Sequence, residues 1–322
     1  AVDDLNRQGG LLGRPVLLIE YDDKSSALGA KTAGQKAVKD GCIAVIGSAW
    51  SSLSLALAQA VQAGKIPMIA YDSTNPNVTL VGNYIFRVCF IDTFQGNVMA
   101  AFAWMDLRAR TALTLTNTSE LFSIGLTQYF SEDFKNKGGR ILWQGDYPGT
   151  ATDFRQHLEK VRKLNPDVIF VPGRRKDSAA IIKQARTMGI RTVFMGGDGW
   201  NNEMYTFGGK AIEGSYFCAH WHPQSPGVKS REFVMAYRKI HGPDINYGSA
   251  LAYDAVMLLA DAAKRAGSLN PARIRDALAA TKGFKGISGE ITFDKNRNPI
   301  NKPAVILKFK NGRSEYVKTI VP

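Results

Sequence analysis

The segment after the apolar run Ile43–Gly47 has residue types that could hold a carboxylate. Ser51 and Ser52 stand beside Trp50, where a helix is predicted to begin. A helix N-terminus offers unpaired backbone N–H groups and a partial positive charge, and serine hydroxyls add further donors. An ordinary serine N-cap has the same pattern, so this segment taken alone leaves both interpretations open.

A second hydroxyl-bearing segment follows the next apolar run, Pro67–Tyr71. Ser73 and Thr74 lie there in a stretch of turn-favouring residues, so a plain turn is the alternative interpretation. Ligands of open parallel sheets bind beyond the carboxyl ends of the strands. Two hydroxyl-rich segments at consecutive strand ends are therefore more informative than either segment alone.

Two later strand ends carry residues suited to other parts of a ligand. After Thr192–Met195 come Asp198, whose carboxylate suits an ammonium group, and Trp200, which offers a flat apolar wall. The glycines around Asp198 lack the spacing of a dinucleotide-binding fingerprint, and a glycine-rich turn is an equally good interpretation. Arg174 follows Val168–Val171 and could clamp an anion, although a solvated surface position explains it as well.

The elements that must position these residues alternate along the chain. Short β-branched runs and segments of helical period follow one another almost throughout, which predicts doubly wound parallel α/β sheets. The chain has 322 residues, and at roughly 100–200 residues per domain it is long enough for two such sheets. Near the end, Ala304–Phe309 and Glu315–Ile320 are predicted strands joined by the hairpin turn pair Asn311-Gly312.

The beginning of the chain departs from this pattern. The first residues fit the end of a helix closed by Gly9 and Gly10, and the first predicted strand is Val16–Tyr21. A doubly wound domain normally opens with a strand. We therefore expect that the first strand of this fold, and one loop that follows it, are missing from the sequence.

Composition and motifs exclude several functional classes. The formal charge is +13, yet no basic stripe with interleaved aromatic residues is present, so nucleic acid is not an expected partner. No window approaches about 18 uninterrupted apolar residues, which argues against a membrane span. The three cysteines are far apart and form no C-x-x-C pair, so they indicate neither a zinc ribbon nor a redox pair.

Motifs for catalysis or metal binding are also missing from the sequence. There is no P-loop, no G-x-S-x-G and no H-E-x-x-H, and no nucleophile–base arrangement is evident. His220 and His222 share one face of a predicted strand, but no third metal ligand accompanies them. We therefore predict that the protein is not an enzyme and uses neither a metal nor another cofactor.

Five short motifs occur in a fixed order over almost the whole chain. They are Tyr21–Asp23, Val45–Gly47 with the following serines, Phe194–Trp200, Ala252–Ala255 and Gly286–Asp294. In order and spacing they resemble the leucine/isoleucine/valine-binding family, the type I periplasmic solute-binding proteins of ABC transporters. The resemblance implies two α/β lobes with a ligand cleft between them. Lobe I would comprise residues 1–117 and 249–298, and lobe II residues 118–248 and 299–322.

The resemblance also implies roles for the residues singled out above. In this family a hydroxyl-rich helix start and a second Ser/Thr loop hold the α-carboxylate of the ligand, and these positions match Ser51 and the pair Ser73/Thr74. A lobe II acid holds the α-ammonium group, and Asp198 matches it. The implied function is capture of an amino acid or amino-acid-like solute by hinge closure, followed by delivery to an ABC transporter permease.

Other consequences of the resemblance are a monomer and a periplasmic location. In an organism without an outer membrane, the location would be extracellular and membrane-anchored. The alternative function is that of a ligand-sensing receptor or regulator domain of the same fold, which would bind an amide or an aromatic acid.

The nature of the ligand side chain stays open at this point. Where the family often has a Tyr-Gly pair, this sequence has Phe122-Ser123, and Arg174 or Arg175 replaces an aromatic contact of some members. An arginine in the cleft would suit an anionic side chain. Trp50, together with Phe122 and Trp200, would suit an apolar or aromatic one.

Overall fold

The computed structural model describes residues 1–322, which fall into two compact units. The first unit comprises residues 1–91, 223–303 and 322, and the second comprises 92–222 and 304–321. Both units are built from separated stretches of the chain, so neither is a simple half of the sequence.

The helices and strands alternate through most of the chain. The helices are α1 (Val2–Arg7), α2 (Ala27–Lys39), α3 (Ser51–Ala63), α4 (Asn77–Leu80), α5 (Asp92–Ala101), α6 (Leu121–Asn136), α7 (Arg155–Leu164), α8 (Arg175–Thr187), α9 (Met204–Gly208), α10 (Val228–His241), α11 (Tyr247–Ala266) and α12 (Pro271–Ala279). The strands are β1 (Val45–Ile46), β2 (Met68–Ala70), β3 (Ile85–Arg87), β4 (Thr111–Asn117), β5 (Arg140–Tyr147), β6 (Val168–Phe170), β7 (Val193–Gly196), β8 (Tyr216–Ala219), β9 (Phe284–Lys285), β10 (Glu290–Ile291), β11 (Ala304–Lys310) and β12 (Arg313–Ile320). A π-helical turn, Phe102–Asp106, continues α5, and a 3₁₀ turn, Gly209–Ile212, follows α9. None of the helices combines the length and the hydropathy that a membrane-spanning segment needs.

The first unit is organised around a parallel sheet of three strands in the order β1-β2-β3. Helix α3 packs on this sheet through Leu53, Leu57, Ala58 and Val61, which share one face because they recur at three- and four-residue spacing. This packing fixes the start of α3 beyond the carboxyl end of β1.

The segment Val16–Tyr21 does not form a strand, so its prediction is wrong. It pairs with no strand of the three sheets, and the exposed fractions of Leu17 and Leu18 are 80% and 59%. A strand is stabilised by pairing with another strand, and an apolar β-branched composition cannot supply that partner by itself.

The second unit contains a seven-stranded sheet in the order β12-β11-β8-β7-β6-β4-β5. The five strands β4, β5, β6, β7 and β8 are parallel, and β11 and β12 add an antiparallel edge. Asn311 and Gly312 connect that edge with φ angles of 55° and 79°, as the two central residues of a type I′ hairpin require. The predicted hairpin and the predicted doubly wound α/β class are therefore confirmed.

The boundaries of the two units differ from those implied at residues 117 and 248. Strand β4 pairs with β5 and β6 inside the seven-stranded sheet, so it belongs wholly to the second unit. Helix α10 belongs to the first unit although it precedes residue 248. The same strand–helix pattern continues on both sides of each crossing, and only the pairing of strands shows where the chain changes unit.

Candidate functional site

In the first unit, the two hydroxyl-bearing segments follow neighbouring parallel strands and lie against one another. The loop that contains Ser48 and Trp50 follows β1, and the loop from Asp72 to Pro76 follows β2. The Oγ atom of fully buried Ser73 lies 2.9 Å from the carbonyl oxygen of Ser48. The two hydroxyl-bearing segments are therefore in direct contact.

Ser54 joins the two loops from within α3. Its Oγ accepts the backbone N–H of Ser48 at 2.8 Å and lies 2.7 Å from Ser73 Oγ. Ser54 was not predicted, because a serine inside a helix usually faces solvent or its own backbone. Ser54 could have been found from its closeness in sequence to Ser51 and Ser52, because the three serines lie within the first turn and a half of the predicted helix.

The first unit contains four further candidate residues, which are Trp50, Ser51, Ser52 and Thr74. The Oγ atom of Ser51 accepts the backbone N–H of Asn75 at 3.2 Å, which ties the start of α3 to the second loop. Thr74 is buried beside that contact, whereas Trp50 and Ser52 are half-buried. Trp50 is the N-cap residue of α3 and packs against the apolar core of the unit.

Arg87, at the end of β3, holds the second loop through hydrogen bonds to its backbone. Its side chain is fully buried, and it donates hydrogen bonds to the carbonyl oxygens of Ser73 at 2.6 Å and Asn75 at 2.8 Å. The N–H of a trans peptide points away from its C=O. Because Arg87 holds the Ser73 carbonyl, the N–H of Thr74 is directed away from the guanidinium group.

In the second unit, the candidate residues lie at the carboxyl edge of the seven-stranded sheet. Asp198 follows β7 and is 3% exposed, and its carboxylate has a partner on each oxygen. Gln95 Nε2 donates to Asp198 Oδ1 at 3.0 Å, and His220 Nε2 lies 2.7 Å from Asp198 Oδ2.

Phe122 and Arg174 occupy the same edge. Phe122 is buried on α6 next to the glycines that flank Asp198. The space between them is small: a Cβ added to Gly199 would lie 3.2 Å from the ring of Phe122. Arg174 precedes α8 and forms an ion pair with Glu120 at 2.6 Å. The positive charge of this arginine is therefore balanced within its own unit.

Trp200 is placed in the core of the second unit. Its indole is fully buried and stacks on Phe309 with a centroid distance of 6.2 Å, beside Phe217. A Cβ on Gly196 would clash with the same indole, so the ring covers the backbone at the end of β7. Trp200 thus supports the loop that carries Asp198.

A further polar cluster at this edge was not predicted. Asp177 on α8 accepts hydrogen bonds from Asn117 Nδ2 at 2.9 Å and from the Tyr147 hydroxyl at 2.8 Å. Burial raises the pKa of the Asp177 carboxyl above its ordinary value, and it raises the pKa of Tyr147 as well. These three residues come from separate elements, so no local motif could have revealed them.

The chain matches the family model described as periplasmic binding protein over residues 1–314. It is also similar to the Leu/Ile/Val-binding protein homolog 2 of Brucella abortus. The two are 27% identical over 315 residues, which cover 97% of this chain and 84% of that protein.

Two solved structures are similar over the whole chain. A leucine-binding protein LivK from Thermotoga maritima has 34% identity and a TM-score of 0.95, with 100% of this chain and 92% of that chain covered. A branched-chain amino acid transporter substrate-binding protein LivJ from Streptococcus pneumoniae, in complex with isoleucine, has 30% identity and a TM-score of 0.94 at the same coverage. Both likenesses extend over both units.

Proposed function

The chain belongs to the periplasmic binding protein family, and we propose that it is the substrate-binding protein of an ABC transporter for an amino acid. The family and its solved neighbours are solute-binding proteins and not enzymes, and the same holds for this chain.

The ligand's α-carboxylate is held by the first unit in this proposal. Ser51 and the pair Ser73/Thr74 lie at the ends of neighbouring parallel strands, and α3 begins at the first of them. Helix N-termini and hydroxyl groups stabilise a carboxylate through N–H and O–H donors. Ser54 ties the two loops together and Arg87 holds the second of them, so both loops are in place for the ligand.

The ligand's α-ammonium group is held by Asp198 in the second unit. This buried carboxylate at a strand end is the observation that carries the proposal. One zwitterion held by both units would favour the closed state, because each unit then contributes contacts that exist only when the hinge is shut.

The side chain of the ligand is apolar in this proposal. Arg174 is paired with Glu120, which makes an anionic side chain a poor match for that position. Phe122 and Trp50 offer aromatic surface, and Trp200 contributes by supporting the Asp198 loop. An apolar side chain also agrees with the isoleucine named for the similar Streptococcus pneumoniae protein.

The cellular setting follows from the same proposal. The protein acts as a monomer in the periplasm, or outside the cell on a membrane anchor where there is no outer membrane. Its closed form presents surfaces of both lobes to the permease, so that only the solute-loaded protein docks productively.

The proposal is tested by thermal unfolding of the protein with each of the twenty amino acids, benzoate and benzamide. A solute that binds the folded state alone raises the unfolding temperature. We expect apolar L-amino acids to raise the unfolding temperature of the unmodified protein and of the exposed control Asp153→Asn. In Asp198→Asn we expect no such rise. A rise with benzoate or benzamide alone would support the receptor or regulator alternative.

A further inference from the structure

We propose that Gln95 is a positioning residue that holds the Asp198 carboxylate in one orientation and thereby makes the protein select solutes with an ammonium group. The inference rests on the proposed function, because it assigns to Asp198 the recognition of that group. It adds a residue that no motif in the sequence singled out.

Gln95 contacts both the main chain and the side chain of Asp198. Its Oε1 accepts the backbone N–H of Asp198 at 3.0 Å, and its Nε2 donates to Asp198 Oδ1 at 3.0 Å. The backbone N–H can only donate and an ionised carboxylate can only accept, so these two contacts define which way the amide points. Gln95 itself is fully buried.

The chain around Asp198 is shaped for this contact. Gln95 lies in the first turns of α5, 103 residues away from Asp198 in sequence. A Cβ on Gly197 would clash with Gln95 Oε1 and would lie 3.1 Å from the ring of Phe122. Glycine at position 197 therefore allows the amide to reach the loop.

His220 contacts the other carboxylate oxygen. It follows β8, which is the parallel neighbour of β7, and its Nε2 lies 2.7 Å from Oδ2. With one hydrogen-bond partner on each oxygen, from two different elements, the rotation of the carboxylate about its Cβ–Cγ bond is determined. Gln95 and His220 thus position the carboxylate together.

An amide in this place orients the carboxylate without neutralising it. Lysine or arginine at position 95 would form an ion pair with Asp198 and reduce its attraction for a second cation. Glutamine supplies the same directional contact with no net charge. The fixed negative charge of Asp198 then favours an ammonium ion over a neutral hydroxyl group.

The test compares L-leucine with its hydroxy-acid analogue, (S)-2-hydroxy-4-methylpentanoate, by calorimetric titration. These ligands differ in the ammonium group alone. We expect the affinity ratio of the two ligands to fall roughly ten- to hundredfold in Gln95→Met, as loss of a hydrogen bond to a charged group implies. The exposed control Gln128→Met keeps the ratio. An equal loss of affinity for both ligands would show a merely structural role and would overturn the proposal. An unchanged affinity ratio would overturn it as well.

Crystal structures separate this inference from the proposed function. If the unmodified protein bound no amino acid, the proposed function would fail, and the orientation of Asp198 would still be measurable. We expect the carboxylate to rotate in Gln95→Met and in Gly197→Ala, which displaces Gln95 by steric overlap. An Asp198 side chain that keeps its rotamer in both variants overturns the positioning role.

Discussion

Asp198 shows how far a single residue can be interpreted from sequence. Its position after a strand and between glycines predicted a carboxylate at a sheet edge, and the structure places it there. Its partners Gln95 and His220 were not predicted in that role, since they come from other elements. His220 was considered with His222 as a metal candidate, because sequence spacing shows a shared strand face but not the neighbouring strand.

Trp200 illustrates the opposite case, in which the residue type suggested a ligand contact and the fold buries the side chain. Its indole stacks in an aromatic group with Phe217 and Phe309. Trp200→Ala should lower the free energy of unfolding by about 3–5 kcal/mol, as expected for removal of a large buried aromatic group. Urea denaturation measures this change. The half-buried Trp143 provides a control whose replacement by alanine should cost clearly less.

At the scale of elements, the start of α3 and the loop after β2 behave as one structural unit. Ser54 and Ser51 tie them together through backbone groups of both loops, and Arg87 holds the second loop. The alternation of strands and helices predicted the two loops, because it places both at carboxyl ends. It could not predict the cross-ties, which depend on which helical serine faces inward.

Ser54→Ala should therefore destabilise the protein and weaken amino-acid binding together. The variant leaves the half-buried N–H of Ser48 without its acceptor, which costs about 1 kcal/mol. Thermal unfolding and calorimetric titration measure the two effects. Ser314→Ala, on the edge strand β12, should leave both nearly unchanged. A Ser54→Ala protein with unaltered stability would contradict the linking role.

At the scale of the whole molecule, the sequence patterns predicted the α/β class and carried the resemblance to the family, and that resemblance implied two interleaved units. The positions at which the chain passes from one unit to the other differ from the implied residues 117 and 248, because the strand–helix pattern is the same in both units. Strand β4 and helix α10 are the elements that this affects. The strand predicted at Val16–Tyr21 failed because pairing is a property of neighbours and not of one segment. Long-range packing therefore limited the predictions more than local propensity did.

The stability of the whole chain should fall as the pH drops from 6.5 to 4. Burial lowers the pKa of His222 from 6.5 to about 4, so the unfolded chain binds a proton in this range that the folded chain does not. The half-buried position limits the loss to about 1–3 kcal/mol. Urea denaturation at several pH values should show a smaller pH dependence for His222→Gln than for the exposed control His241→Gln. An identical dependence in both variants would contradict the assignment.

The central claim is that one amino-acid zwitterion is the solute of this protein. The most direct measurement is a calorimetric titration of the unmodified protein with L-leucine, L-isoleucine and L-valine, with benzoate as the comparison. We expect saturable one-to-one binding of at least one of the three amino acids and none of benzoate. Binding of benzoate together with no heat from any amino acid would contradict it.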